Sequence, residues 1–376
     1  MDFTFTEEQS LLRNSVQRFI QDKYAFETRK KIVASPEGWS TDNWRGFAEL
    51  GLLGIPFTEE YGGMGGGPVE TMIIMEEFGK GLVVEPYLQT VVLCGGLIDR
   101  LGTEAQKKEL LPKIASGELV LALAYAEPQG RFNLADLTCR AQKSGDGYVL
   151  TGNKAVVMAA PWADKLLVTA RTSHGQRDRD GVSLFIVDRN AKGLDCRDYP
   201  TLDGGRASEI SFDNVKIQTD ALLGQEGKTL AAIEEATDRA IAALSAEAVG
   251  CMRVLTHATV EYCKTRKQFG QPIGNFQVLQ HRMADMFIEC EQSLSITYMV
   301  NLKLEESAQE RARAASAAKV QIGKSGRFVG QQAVQLHGGM GMTDELNIGH
   351  YFKRLTMIDA QFGNVDFHLK RFAAAH

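Results

Sequence analysis

The 376-residue chain lacks an excess of positive charge: 42 Lys and Arg stand against 47 Asp and Glu, a formal net charge of −5. That balance removes nucleic acid and anionic membranes as default partners, while leaving room for a small anionic ligand in a locally basic pocket. The six cysteines, Cys94, Cys139, Cys196, Cys251, Cys263 and Cys290, form no CxxC pair and no metal-like His/Cys spacing. Free thiols in a reducing compartment are therefore expected, and no bound metal. No apolar run approaches the roughly 18 residues of a membrane span, and MDFTFTEEQSLL has no basic segment followed by an apolar one. A cytoplasmic location is the expectation. Internal repeats and low-complexity tracts are absent too.

What is present is an ordinary soluble composition, 44% apolar and 24% charged, on a chain long enough to bury a sizeable core. The first third reads as helices. In TEEQSLLRNSVQRFIQDKY, Leu11, Leu12, Val16, Phe19 and Ile20 recur at helical spacing, with Thr6 as N-cap and Glu7 and Glu8 in the favoured first turn. Further helical patterns cover Asp42–Leu50, Val69–Gly79, Tyr87–Leu101 and Thr103–Ser116, interrupted by a glycine-rich loop at 62–67. Near Leu119 the character changes. Leu119–Ala126, Ala141–Val157, Lys165–Arg171, Val182–Val187 and Ala207–Val215 are short β-branched runs broken by turn residues, which predicts an antiparallel barrel or sandwich of about 100 residues. From Thr229 long Ala-rich helical patterns follow, over Ala231–Lys264, Phe276–Leu304 and Gln309–Leu336, as in an antiparallel bundle.

The predicted fold class is thus α+β, mainly α. It comprises an N-terminal helical domain (1–118), a middle β barrel or sandwich (119–222) and a C-terminal four-helix bundle (223–376).

Two motifs in the helical third carry chemistry. Thr265–Gln277, TRKQFGQPIGNFQ, is a helix end with cations in its last turn, a Gly stop and a Pro; a helix break explains it, but an Arg at a rigid corner also suits a phosphate. Gln335–Gly341, QLHGGMG, is a C-cap by default, although a double Gly also admits a bulky cofactor. It is not a dinucleotide fingerprint, which needs a strand before it and a helix after it.

Together with GLLGIPFTEEYGG, the Ala124–Pro128 run AYAEP and LTGNKAVV at Leu150–Val157, these motifs resemble, in order and over essentially the whole chain, the acyl-CoA dehydrogenase family of flavoproteins. The resemblance implies FAD at a subunit interface, an acyl-CoA substrate and electron-transfer flavoprotein as acceptor. It implies that Arg266 and Gln277 touch the FAD pyrophosphate and its surroundings, and Gln335, Leu336, His337, Gly338 and Gly339 the adenosine, of a neighbouring subunit's flavin.

The same comparison exposes departures. α-Proton abstraction needs a carboxylate opposite the flavin, yet Phe362 stands where most of the family has its Glu, with Gly363 after it. The alternative location on the long helix aligns with Ala240, and the Arg that follows there aligns with Ile241. Asp238 matches a substrate-binding Asp, with Arg239 as a displaced partner, and the catalytic residue is unknown. On the flavin-facing side Ala126-Glu127-Pro128, Arg131-Phe132-Asn133 and Val156-Val157-Met158 replace hydrogen-bonding groups with apolar ones. The expectation is a subunit without its own base, completing the FAD site of a larger homologous subunit in a heterotetramer. The alternatives are a self-sufficient homomeric dehydrogenase with a displaced base (Asp359, Asp366 or Asp238) and a non-redox acyl-CoA-binding scaffold.

Overall fold

The computed structural model of the protein describes residues 4–374. Helix α1 (Glu7–Lys23) starts where the sequence predicts: Thr6 accepts from the Gln9 amide at 3.2 Å, and the Gln9 side chain accepts from the Thr6 amide at 3.1 Å. There follow α2 (Phe26–Ala34), α3 (Thr41–Glu49), α4 (Pro68–Gly81), a π-helical stretch Leu88–Gly95 leading into α5 (Gly96–Leu101), and α6 (Glu104–Ala115). Tyr87–Leu101, expected as one helix, thus changes its hydrogen-bonding pattern midway. The charged run FETRKKIVA of α2 has too few apolar positions to stand out by periodicity.

The chain divides into two compact units. One holds Ile32–Gly67 and Val84–Ala240, and its centre is a sheet of β1 (Leu121–Ala124), β2 (Arg140–Ser144), β3 (Gly147–Met158), β4 (Lys165–Arg171), β5 (Val182–Asp188), β6 (Leu194–Pro200), β7 (Arg206–Gln218) and β8 (Leu222–Leu223). The strand order is β6-β7-β3-β2-β4-β5-β8, with β1 also on β4. Leu150, Leu166, Val168, Phe185, Ile210 and Phe212 form its core. The sheet is mixed, which corrects the antiparallel expectation: β1 runs parallel to β4, Leu121 opposite Lys165, and β2 meets β4 in parallel at Arg140 and Arg171. The β2–β3 hairpin and the connection to β4 separate β1 from β4 in sequence, and a crossover of that length permits parallel pairing. β6, LDCRDYP, escaped prediction because its charged residues and Pro mimic a loop; both are normal on an edge strand.

The other unit gathers the chain up to Lys31, Pro68–Val83 and the chain from Ile241 onward. It holds most of α7 (Leu230–Thr265), then α8 (Gln277–Leu302), α9 (Ala308–His337), α10 (Ile348–Ala360) and α11 (Val365–Ala374). The N-cap of α9 is Ser307, accepting from the Glu310 amide at 3.2 Å. Gly323, Gly326 and Gly330 lie along the side of α9 that receives α10: a Cβ on Gly330 would come within 2.4 Å of the Phe352 ring, and one on Gly323 within 2.4 Å of the Asp359 carboxylate. These glycines set how closely α10 and the turn after it approach α9.

The six cysteines are free thiols. Among the described residues no helix is long and apolar enough to cross a membrane, and no group of three or more His, Cys, Asp or Glu side chains could hold a metal ion.

Candidate functional site

At one end of the helical unit two predicted motifs meet. Beyond α7, the Arg266 amide donates to the Tyr262 carbonyl (2.8 Å) and its carbonyl accepts from the Ile273 amide (2.8 Å). Between them β9 (Lys267–Gln268) folds back on β10 (Gln271–Pro272) through Phe269 and Gly270, both at positive φ. Arg266 is therefore exposed on a corner fixed by its own backbone. Phe269 is 91% exposed, and Gln277 opens α8 on the surface.

α9 reaches the same end. The His337 ring is buried, with Nδ1 2.8 Å from the Ala333 carbonyl, and stacks on Tyr262 at 4.3 Å. Burial lowers its pKa against the pull of that carbonyl. Stacking on a residue four positions before Arg266, His337 fastens the glycine turn to the Arg266 corner. Leu336 is buried with it, whereas Gln335, Gly338 and Gly339 are exposed. Gly338 has φ +60, which suits glycine. Gly339 has no such φ, and a Cβ there would meet nothing within 4 Å. Nothing among the described residues requires a glycine at that position, and the backbone there is open to the outside.

The turn from α10 to α11 carries the position expected of a base. Phe362 is 9% exposed and holds φ +57; Gly363 follows at φ +112. The turn is pinned from α9 and α11. Lys319, fully buried, donates from Nζ to the carbonyls of Ile358 (2.7 Å), Asp359 (2.8 Å) and Gly363 (2.7 Å). The His368 Nε2–H donates to the Phe362 carbonyl (3.0 Å), which leaves Nδ1 to accept from the Ser316 hydroxyl at 3.3 Å. Burial draws the Lys319 ammonium down to about 7, against Asp359; burial and then Lys319 hold His368 down to about 3. Neither residue was singled out from the sequence. The signal for Lys319 was there, a lone Lys on the apolar stripe of Ala315, Ala318 and Ile322.

The carboxylates named as displaced bases are differently placed. Asp359 is buried with Oδ2 3.0 Å from Arg327, beside a cavity of about 370 Å³ also lined by Lys324, Gln331 and Asp366. Asp366 is exposed in the first turn of α11. Asp238 is 2% exposed near the start of α7; the adjacent Arg239 pairs with Glu235 at 3.2 Å. Ala240 and Ile241 are fully buried and have no titratable group.

In the β unit, the Ala124–Pro128 run is locked by a network with no exposed side chain at its centre. Lys154 Nζ donates to Glu127 Oε1 (2.7 Å) and Thr169 Oγ1 (2.9 Å); Glu127 Oε2 accepts from the Thr138 amide (2.7 Å) and hydroxyl (2.6 Å). Burial pushes the Glu127 carboxyl up, but Lys154 and Thr138 outweigh it and hold it below its ordinary value. Past Lys154 the β3–β7 register slips, and Val156 takes φ +51 while 48% exposed. A β-branched residue in that conformation is rare, and Arg131 at φ +48 is a second non-glycine in the left-handed region. Both fall where the flavin-facing segments were expected.

Three family descriptions match in this order: acyl-CoA dehydrogenase, N-terminal domain over residues 6–118, middle domain over 122–215 and C-terminal domain over 230–375. The chain belongs to the acyl-CoA dehydrogenase family. It is 30% identical to the mitochondrial isovaleryl-CoA dehydrogenase of Oryza sativa subsp. japonica over 364 residues, 96% of this chain and 88% of that one. Among solved structures it is similar to the Tcur3481-Tcur3483 steroid ACAD (TM-score 0.88, 30% identity, 98% and 97% of the two chains covered). It is likewise similar to the FAD complex of PigA (TM-score 0.92, 27% identity, 100% and 98% covered). The helical, β and helical segments are those of the acyl-CoA dehydrogenase fold, and the family's chemistry is FAD-dependent dehydrogenation of acyl-CoA thioesters.

FAD is the cofactor of this family, and the residues at this bundle end fit such a group: an exposed Arg266 on a corner whose backbone is fixed suits a pyrophosphate, and the bare Gly339 turn leaves its backbone unobstructed. When bound, the flavin supplies the hydride acceptor. An acyl-CoA dehydrogenase also needs a group to take the α-proton, and Phe362 carries none.

Proposed function

We propose that this chain is the base-less subunit of a heteromeric acyl-CoA dehydrogenase, like the small subunit of pimeloyl-CoA dehydrogenase and related two-gene enzymes. It completes the FAD site of a larger, base-bearing homologous subunit. The observation that carries this reading is the contrast within the chain. The residues that the family resemblance gives to a neighbour, Arg266, Gln277 and Gln335–Gly339, lie at one bundle end with Arg266 and Gly339 exposed, whereas Phe362 stands where the same resemblance puts the base. A missing general base costs about 10² to 10⁴ in rate. The Tcur3481-Tcur3483 name pairs two gene designations, which fits an assembly of unlike subunits. The displaced-base alternative has less support, because Asp359 is engaged by Arg327 and Asp366 lies on the surface.

In this reading Asp238 contributes to acyl-CoA binding, electron-transfer flavoprotein accepts the electrons, and the complex works in the cytoplasm without nucleic acid or membrane partners. The chain partitions functionally as 1–118, 119–222 and 223–376. The test is flavin retention by the co-purified complex. Arg266→Ala and Gly339→Val in this chain lower the flavin-to-protein ratio while this chain still co-purifies with its partner. Unchanged flavin content in both variants rejects the role given to these residues.

A further inference from the structure

A second cavity of the helical unit, of about 230 Å³, lies where the end of α1, the start of α2, the end of α4 and the start of α10 meet. All four segments belong to that one unit. Gln21 and Ala25 on the cavity wall are exposed, so it opens to solvent there, whereas Tyr24, Arg29, Leu82 and Tyr351 are buried and form its floor. Just past α4, Leu82 holds φ +54, a conformation that a bulky side chain rarely adopts. Its carbonyl accepts from Arg29 Nε at 2.7 Å, and the Lys80 carbonyl accepts from the Tyr351 hydroxyl. Two carbonyls at the end of α4 are thus already served. The floor keeps a fixed guanidinium, on a residue 2% exposed, with five N–H groups of which the Leu82 carbonyl takes the one on Nε.

Charge points the same way. Two cations, Arg29 and Lys80, and no carboxylate line the cavity. Lys80 meets Glu77 at 2.6 Å and Glu76 at 3.6 Å, but Glu76 also takes Arg13 and Arg253. Among these groups four cations, Arg13, Arg29, Lys80 and Arg253, stand against two carboxylates. The field of Arg29 is felt at His350, whose pKa burial and then that cation hold down. Ile20, Phe26 and the Tyr24 ring supply apolar wall. A cavity of about 150 Å³ accepts benzene, so this one has room for a six-membered ring and a carboxylate.

We propose that this cavity binds a small organic carboxylate, with the anion on Arg29 and a ring-sized apolar body against Ile20, Phe26 and Tyr24. A guanidinium matches a carboxylate in geometry, and their attraction grows where water is largely excluded. The proposal is independent of the flavin and acyl-CoA assignments.

The test is calorimetric titration of the protein as purified, alone or with its partner, with benzoate, its neutral isostere benzamide and inorganic phosphate. Benzoate is expected to bind about tenfold more tightly than either of the others. Gln21→Glu places an acid at the exposed mouth and leaves the floor intact. It is expected to weaken benzoate about fivefold and to leave benzamide unchanged. Arg29→Met is expected to abolish the preference for benzoate and to lower the melting temperature, since the Leu82 carbonyl loses its donor; where that variant does not fold, Gln21→Glu decides. Equal affinities for benzoate and benzamide, no benzoate binding at millimolar concentration, or a preference that survives Gln21→Glu undiminished overturns the proposal. Phosphate binding as tightly as benzoate overturns the assignment to a carboxylate.

Discussion

Replacing Lys154 by Met tests whether the buried pair in the β unit holds the Ala124–Pro128 run in place. Methionine keeps the stem and removes the ammonium, leaving the Glu127 carboxylate fully buried without its cation. Breaking such a pair from one side costs about 3–5 kcal/mol. Glu127 retains the Thr138 amide and hydroxyl at 2.7 and 2.6 Å, which places the loss at the lower end, about 3 kcal/mol. In a cooperative unit of this size that is roughly 6–12 °C in melting temperature. Glu127→Gln strands the ammonium instead and costs a similar amount. The double variant leaves no buried charge, so its loss is expected to be smaller than the sum of the singles by about 3 kcal/mol or more. Denaturant unfolding of the four proteins measures that coupling. Additive losses refute the reasoning, because they mean the two groups do not depend on each other.

Lys319→Met removes one donor from three carbonyls. Relief of ammonium burial offsets part of this, leaving a loss of about 2–3 kcal/mol; hydrogen exchange should quicken first around residues 358–368. Unchanged protection there rejects the pinning role. His368 binds its proton less readily folded than unfolded, about 3 against an ordinary 6.5. The unfolded chain therefore holds the extra proton between those values. Its contribution to stability is complete above pH 6.5 and is lost as pH falls toward 3, at up to about 1.4 kcal/mol per pH unit. His368→Asn should flatten the acid limb of a stability–pH curve; an unaltered slope contradicts the assignment.

Most of the fold was legible because it rests on local signals. Thr6 and Thr103 cap helices at the predicted starts, and the Lys165–Arg171 strand has the predicted ends. The parallel pairing of β1 was not legible, since register and direction arise from contacts between distant segments. At the site, Arg266 and the Gly338–Gly339 turn were visible as residue types at a helix end, and the structure adds the Tyr262–His337 stack that joins them. The His337 ring faces inward, against Tyr262 and the Ala333 carbonyl. The Glu127–Lys154 pair and the Lys319 and His368 props were invisible for one reason: each is defined by what lies around it in space. Phe362 was legible only through family resemblance, as an absence.

The central claim is that this chain belongs to an acyl-CoA dehydrogenase without being able to perform the reaction alone. The direct measurement is flavin absorbance and acyl-CoA oxidation, with an artificial electron acceptor, of the chain purified alone and after co-expression with a homologous base-bearing subunit. The account predicts a colourless, inactive protein alone and a yellow, active complex. A yellow chain that oxidises acyl-CoA by itself would contradict it.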